Sequence, residues 1–235
     1  MSSLNRDALT RVAGALGPIT RELVFVGGRV AELLVTEAGT TRVRPTYDSD
    51  AVCEVATRAE YHRLGERLRG AGFREDQRPG APTCRWRHGE DTLDVMPTNG
   101  DVLGFQNAWY HHAVRLATEF TVSAGVSIRV VPAPVFLATK WDAFNDRGAG
   151  DWYGSHDLED VVMVVAGRRE LLEELRATER DVRRYVAIQT RTLLNSGVAE
   201  DVLAGALPDA RQVPGLIERV LRRLEAIAQL ESAEQ

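Results

Sequence analysis

Apolar side chains recur at three- and four-residue intervals through LNRDALTRVAGAL, residues 4–16, the spacing of one helix face. The segment ELVFVGG that follows is a continuous apolar run halted by Gly27 and Gly28, the pattern of a short buried strand. A helix from about Arg29 to Val35 comes next, then a loop rich in Thr, Arg and Gly. TYDSDAVCEV alternates, with Tyr47, Ser49 and Ala51 set against Asp48, Asp50 and Val52. In a strand that alternation turns both aspartates to one face. AEYHRLGERLRGAG predicts an amphipathic helix closed by glycine, and GFRE begins another strand. TCRWRHGEDTLDVMP predicts a hairpin turning at His88-Gly89-Glu90-Asp91, whose second arm carries Asp94 between Leu93 and Val95.

After about residue 131 the period changes. Pro132 and Pro134 open APVFLATKWDAFNDRG, with proline where a first helical turn tolerates it. Helical spacing then dominates HDLEDVVMVVAGR, ELLEELRATERDVRRYVAIQTRTLLNS and VPGLIERVLRRLEAIAQLE, and the closing ESAEQ reads as a frayed tail. The expectation is an α+β fold: a core over residues 1–131, built as a mixed sheet with flanking helices, and a helical C-terminal region over 132–235.

Composition narrows this picture. At 235 residues and 44% hydrophobic content, the chain can bury one substantial core, or a core with a helical appendage. Its 29 Lys plus Arg against 34 Asp plus Glu exclude a global cationic coat for nucleic acid, so any such contact must be local. Only Cys53 and Cys84 are present, Cys53 in an apolar stretch that suits the core. No signal-peptide pattern opens the sequence, and no apolar run approaches the roughly 18–20 residues of a bilayer crossing. A reducing cytoplasm is the expected location.

The chemistry concentrates in carboxylates. Asp48 and Asp50 on one strand, with Asp94 on a neighbour, form a compact anionic group that calls for cations. Mg²⁺ or Mn²⁺ takes such oxygen ligands and keeps positions for water and phosphate, and a pair of ions can hold both oxygens of an in-line displacement. Gly27 and Gly28, between strand and helix, leave backbone N–H groups unobstructed for phosphate. Lys140 is the single lysine in a chain that otherwise uses arginine, which suits a mobile point charge against a triphosphate.

These motifs also carry a family resemblance. FVGGRVAELL, RPTYDSDAVCEV and TLDVMP resemble, in order, the Gly-Gly, Asp-x-Asp and third-Asp motifs of the DNA polymerase β-like nucleotidyltransferase superfamily. Within it, Arg44, Thr46, Asp48 and Asp50 form an Arg-x-Thr-x-Asp-x-Asp pattern similar to the AbiEii type, which includes type IV toxin–antitoxin toxins and the related MenT enzymes. ATKWDAFNDRG and SHDLEDVV resemble the group's Lys motif and its following Asp motif, which picks out Lys140 and Asp157. The likeness runs from about residue 22 to 168. It implies a polymerase β-like fold whose helical region contributes to the active-site cleft. The implied activity is metal-dependent transfer of a nucleoside monophosphate from an NTP to an acceptor hydroxyl. Asp48, Asp50 and Asp94 would be metal ligands, and Lys140 and Asp157 would join them in the catalytic set. Gly27, Gly28, Arg44, Thr46 and Lys140 would contact the nucleotide. It further implies an RNA acceptor, the end of tRNA among the candidates, and a cognate antitoxin protein. Ser49 departs from the group, which has an apolar residue between the aspartates, and the helices beyond about 170 match none of its motifs.

Several residues carry two readings. Arg147 joins the Lys140 and Asp157 neighbourhood, and Asp160, three residues after Asp157, shares its helix face or lies at the surface. Trp141, beside Lys140, is the tryptophan best placed to wall a pocket. Arg63, Arg67, Arg69 and Arg74, and separately Arg176, Arg180, Arg183 and Arg184, are local basic clusters; the second, at helical spacing, makes a positive face that contacts phosphates or pairs with Glu173, Glu174 and Glu179. Two rival functions remain: nucleotidylation of a small molecule or protein, and a nucleotide-binding module without turnover.

Overall fold

The computed structural model describes residues 3–37, 44–147 and 150–231. The expected loop after the second helix and the expected frayed tail fall largely on 38–43 and 232–235, outside the described residues. The chain divides into two compact units, residues 1–32 with 45–132, and residues 33–44 with 133–235. Among the described residues there are seven strands in one mixed sheet and eleven α-helices.

The elements of the first part of the chain are α1 (Leu4–Leu16), β1 (Leu23–Val26), α2 (Gly28–Leu34), β2 (Asp48–Cys53), α3 (Arg58–Gly70), β3 (Arg74–Glu75), β4 (Arg85–His88), β5 (Asp91–Pro97), α4 (Gly100–Leu103), α5 (Tyr110–Leu116), β6 (Thr118–Ser123) and β7 (Val126–Val130). The sheet order is β3-β4-β5-β2-β1-β7-β6, parallel where β2 meets β5 and where β1 meets β7, and antiparallel elsewhere. β1, β2 and β5 are central. Every residue of β1 is buried, as a continuous apolar run requires of an interior strand. α1 and α3 cover one face of the sheet. Arg11 of α1 pairs with Asp91 of β5 at 2.7 Å, and Gly65 of α3 lies against the indole of Trp86. α3 starts where Thr57 and Glu60 satisfy each other's backbone N–H groups in a reciprocal cap, worth about 1 kcal/mol.

Sequence periodicity located α1, β1, α2, β2, α3, β3 and the β4–β5 hairpin. It assigned nothing between 98 and 131, where the structure adds α4, α5 and the β6–β7 hairpin. This hairpin turns at Ala124-Gly125 and pairs β7 with β1 in parallel.

The second unit contains α6 (Ala133–Arg147), α7 (His156–Gly167), α8 (Leu171–Ala177), α9 (Arg180–Asn195), α10 (Ala199–Ala206) and α11 (Leu216–Ala228). α6 and α11 each pack against α7 and α9. From Asp160 to Gly167 every residue of α7 is buried, which marks it as the central helix of this unit. The early segment 33–37 belongs here because the C-terminus of α7 needs partners for its last carbonyls. Thr36 and Glu37 both donate backbone N–H groups to Gly167 O, at 2.9 and 2.8 Å. Arg223 of α11 joins the same place, donating to Val165 O, Ala166 O and the Glu37 carboxylate. No helix among the described residues is long and apolar enough to cross a membrane.

Candidate functional site

Strand register brings the aspartates together. Asp50 of β2 lies beside Asp94 of β5 in the parallel pair, and Asp94 lies opposite Arg85 of β4 in the hairpin. On the other side Asp50 pairs with Val26, the residue before Gly27. One row across four strands therefore reads Arg85, Asp94, Asp50, Val26. Asp48, two residues before Asp50, shares the face. Each of Asp48, Asp50 and Asp94 offers a carboxylate oxygen within 4.8 Å of the other two. The opposite face is the one covered by α1 and α3.

Gly27 explains how the row ends. Its φ of 75° lies in the left-handed region, and a Cβ built there would fall on the Asp50 carboxylate. Glycine is thus required twice, by backbone conformation and by the close approach of Asp50. Three hard oxygen donors beside such a cradle are a set that fits Mg²⁺ or Mn²⁺.

Arg85 grips two of the three aspartates. Its Nε and Nη2 donate to Asp94 Oδ1 and Oδ2, both at 2.8 Å, and Nη2 also donates to Asp48 Oδ2 at 2.8 Å. The hydrogen bonds to Asp94 raise the guanidinium's affinity for its proton well above the ordinary arginine value, against the opposing effect of burial. The sequence reading passed over Arg85. The turn centred on Gly89-Glu90 holds the signal: pairing His88 with Asp91 forces Arg85 opposite Asp94.

Behind the aspartates, Ser49 points to the other face and is fully buried. Its Oγ accepts from Arg29 Nη1 at 2.7 Å, while Arg29 Nε and Nη2 donate to Thr46 O at 3.2 and 3.1 Å. Asn5 of α1 accepts the Thr46 backbone N–H at 3.0 Å. Thr46 is therefore clamped from two sides just before β2 begins. The hydroxyl at 49, unusual for an apolar position, is the partner of a buried arginine. Burial pulls the Arg29 guanidinium below its ordinary value, and the negative charges of Asp91, Asp48 and Asp50 act against that pull.

Lys140 and Asp157 lie in the second unit, on α6 and α7. Lys140 Nζ is 3.0 Å from Asp157 Oδ1 and 2.7 Å from Asp160 Oδ2. Asp160 is 0% exposed, which settles its two readings in favour of burial. Arg147 reaches Asp157 at 3.1 Å, and Arg44 reaches Glu159 at 3.2 Å and Asp160 at 3.8 Å. Lys140, Arg147 and Arg44 thus interleave with Asp157, Glu159 and Asp160, three cations with three anions. Any phosphate that Arg44 or Lys140 held would take over from these carboxylates.

Burial alone would raise the Asp157 carboxyl, but Lys140 and Arg147 together outweigh it and hold the group below its ordinary value of 3.8. A carboxyl depressed in the folded state stabilises the fold above its unfolded pKa, and the contribution is lost as pH falls through the folded value. Asp157→Asn should therefore cost about 1–3 kcal/mol in urea denaturation at pH 7. The deficit should shrink as the pH is taken below 3.8. A deficit unchanged by acid would show that the charge on Asp157 contributes nothing.

The structure bears on two other readings. Trp141 is 1% exposed and meets Phe144 edge-on, so its indole is part of the helical core and offers no face on which a base could stack. In the basic clusters, Arg67 pairs with Glu22, Arg69 pairs with Glu75 and lies over Trp86, and Arg183 donates to the carbonyls of Arg176 and Thr178. These guanidinium groups are engaged within the protein.

Comparison with known proteins places the architecture. No family model and no curated protein matches the chain. Among solved structures the fold is similar to that of JHP933 from Helicobacter pylori, at 12% sequence identity and a TM-score of 0.51. The match covers 99% of this chain and 94% of that one. The likeness spans both units, and at this identity it is a likeness of fold alone.

Proposed function

We propose that this chain is a divalent-cation-dependent nucleotidyltransferase with a polymerase β-like fold. The observation that carries the reading is the row of carboxylates across β5 and β2, ending at a glycine that can carry no side chain. Asp48, Asp50 and Asp94 would hold the cation, and the Gly27-Gly28 backbone would admit the phosphates of an NTP. Lys140, which its motif nominates for nucleotide contact, has its ammonium fixed within the helical unit by Asp157 and Asp160. A divalent cation bound to the aspartates supplies Lewis-acid stabilisation of charge that develops on phosphate oxygens. The acceptor hydroxyl forms a bond to the α-phosphorus, the bond to the β-phosphate oxygen breaks, and pyrophosphate leaves. The hydroxyl proton would pass to solvent, because the Arg85 fork on both oxygens makes Asp94 a poor base.

The order of motifs supports an AbiEii-type enzyme with an RNA acceptor, the end of tRNA being the first to try, and a cognate antitoxin. The test is incubation with each labelled NTP, Mg²⁺ and total RNA, with and without a chelator. Label should enter RNA and be lost when the metal is removed. Label that survives nuclease treatment would redirect the reading to a protein or small-molecule acceptor. A thermal shift with NTP and Mg²⁺ but no transfer to any acceptor would make the chain a binding module.

A further inference from the structure

We propose that Arg85 is a built-in competitor of the divalent cation: its guanidinium offsets part of the charge of the Asp48, Asp50 and Asp94 group through Asp48 and Asp94, and metal loading requires it to release Asp48. The inference rests on the metal-binding reading above and adds a residue that none of the sequence motifs includes. Its basis is geometry. Arg85 uses both oxygens of Asp94 and one of Asp48, each at 2.8 Å, and a metal would draw on the same carboxylates. Mg²⁺ demands ligand oxygens at about 2.0–2.1 Å in near-octahedral directions. A cation held by these oxygens would face the guanidinium across the same carboxylates, and like charges that close repel.

The two contacts of Arg85 are not equivalent. Its fork on Asp94 is bidentate and directly cross-strand, and the Asp94 side chain is only 9% exposed. The contact with Asp48 is a single hydrogen bond to a side chain that is 37% exposed. Release of Asp48 therefore breaks one bond in the wetter part of the group and leaves the Asp94 fork in place, where each Asp94 oxygen keeps a second lone pair for the cation. Removing Arg85 takes one positive charge from the group, so the aspartates repel one another more before loading and attract the cation more strongly.

The experiment is calorimetric titration of the full chain with Mn²⁺ for wild type, Arg85→Met and Arg85→Lys, with melting temperatures measured before and after saturation. Arg85→Met should bind Mn²⁺ roughly tenfold tighter or better. It should melt lower than wild type without metal and show the larger rise on saturation. Arg85→Lys, which keeps the charge and loses the fork, should fall between the two. Should Arg85→Met not fold, Arg85→Lys decides: affinity at or below that of wild type overturns the proposal. The same holds for Arg85→Met when it folds. If wild type binds Mn²⁺ and the variants bind no more tightly, the competitor role fails and the metal site stands. If neither wild type nor variants bind Mn²⁺, the metal-site reading fails and this inference falls with it.

Discussion

Asp48→Ala is expected to cut nucleotide transfer by at least about 10³-fold and to leave the protein as stable as wild type. Losing a ligand removes several kcal/mol of transition-state charge stabilisation, and each 1.36 kcal/mol is about a factor of ten. The stability half of the prediction follows from position. Asp48 begins β2 with a side chain 37% exposed, so its removal leaves no sealed cavity. Its truncation also relieves repulsion from Asp50 and Asp94, while Arg85 keeps both bonds to Asp94. Asp94→Ala would be a poorer probe, because it strips a bidentate partner from a partly buried arginine. Labelled NTP, Mg²⁺ and RNA, with urea denaturation in parallel, read both quantities. Equal labelling by wild type and Asp48→Ala would sink the assignment of the metal site.

Gly27→Ala should damage both stability and transfer, and transfer more. A φ of 75° costs an L-residue about 1–2 kcal/mol, which for a chain of this length lowers the melting temperature by a few degrees. The added methyl also lands on the Asp50 carboxylate, so Asp50 must rotate out of the row it shares with Asp94. Transfer should fall by about 10²-fold or more, as misplaced catalytic groups do. A melting temperature and activity both equal to wild type would show that the β1–α2 turn tolerates a side chain and that its closeness to Asp50 has no bearing on function.

Much of the site was legible because it depends on short-range rules. Alternation in TYDSDAVCEV placed Asp48 and Asp50 on one face, and the apolar run before Gly27 marked a central strand. Arg85 was equally legible in principle, since a two-residue turn fixes its hairpin partner, but a basic side chain opposite an acid reads in sequence as one more surface pair. β6 and β7 escaped for a different reason. β6 is mostly exposed, with only Val122 buried, so it lacks the apolar face that periodicity detects. Residues 33–37 join the helical unit through backbone bonds to Gly167, and such bonds leave no trace in side-chain pattern. Asp160 was ambiguous because helical spacing gives the direction of a side chain but not what lies above it. The apolar run VVMVVAG immediately after it was the available hint of depth.

The Arg29–Ser49 contact has a meaning for folding as well as for the loop it holds. Side chains on a strand alternate, so sliding β2 by one position along its neighbours would exchange its faces. Asp48 and Asp50 would then enter the interior beside α1 and α3, and Ser49 would stand alone among water. The apolar residues of β2 discourage this weakly, because Ala51, Val52 and Cys53 are buried in succession on both faces. Burying two carboxylates and taking from the buried Arg29 its Ser49 acceptor discriminates more sharply. Ser49 marks the single alignment of the strand in which the three acids meet.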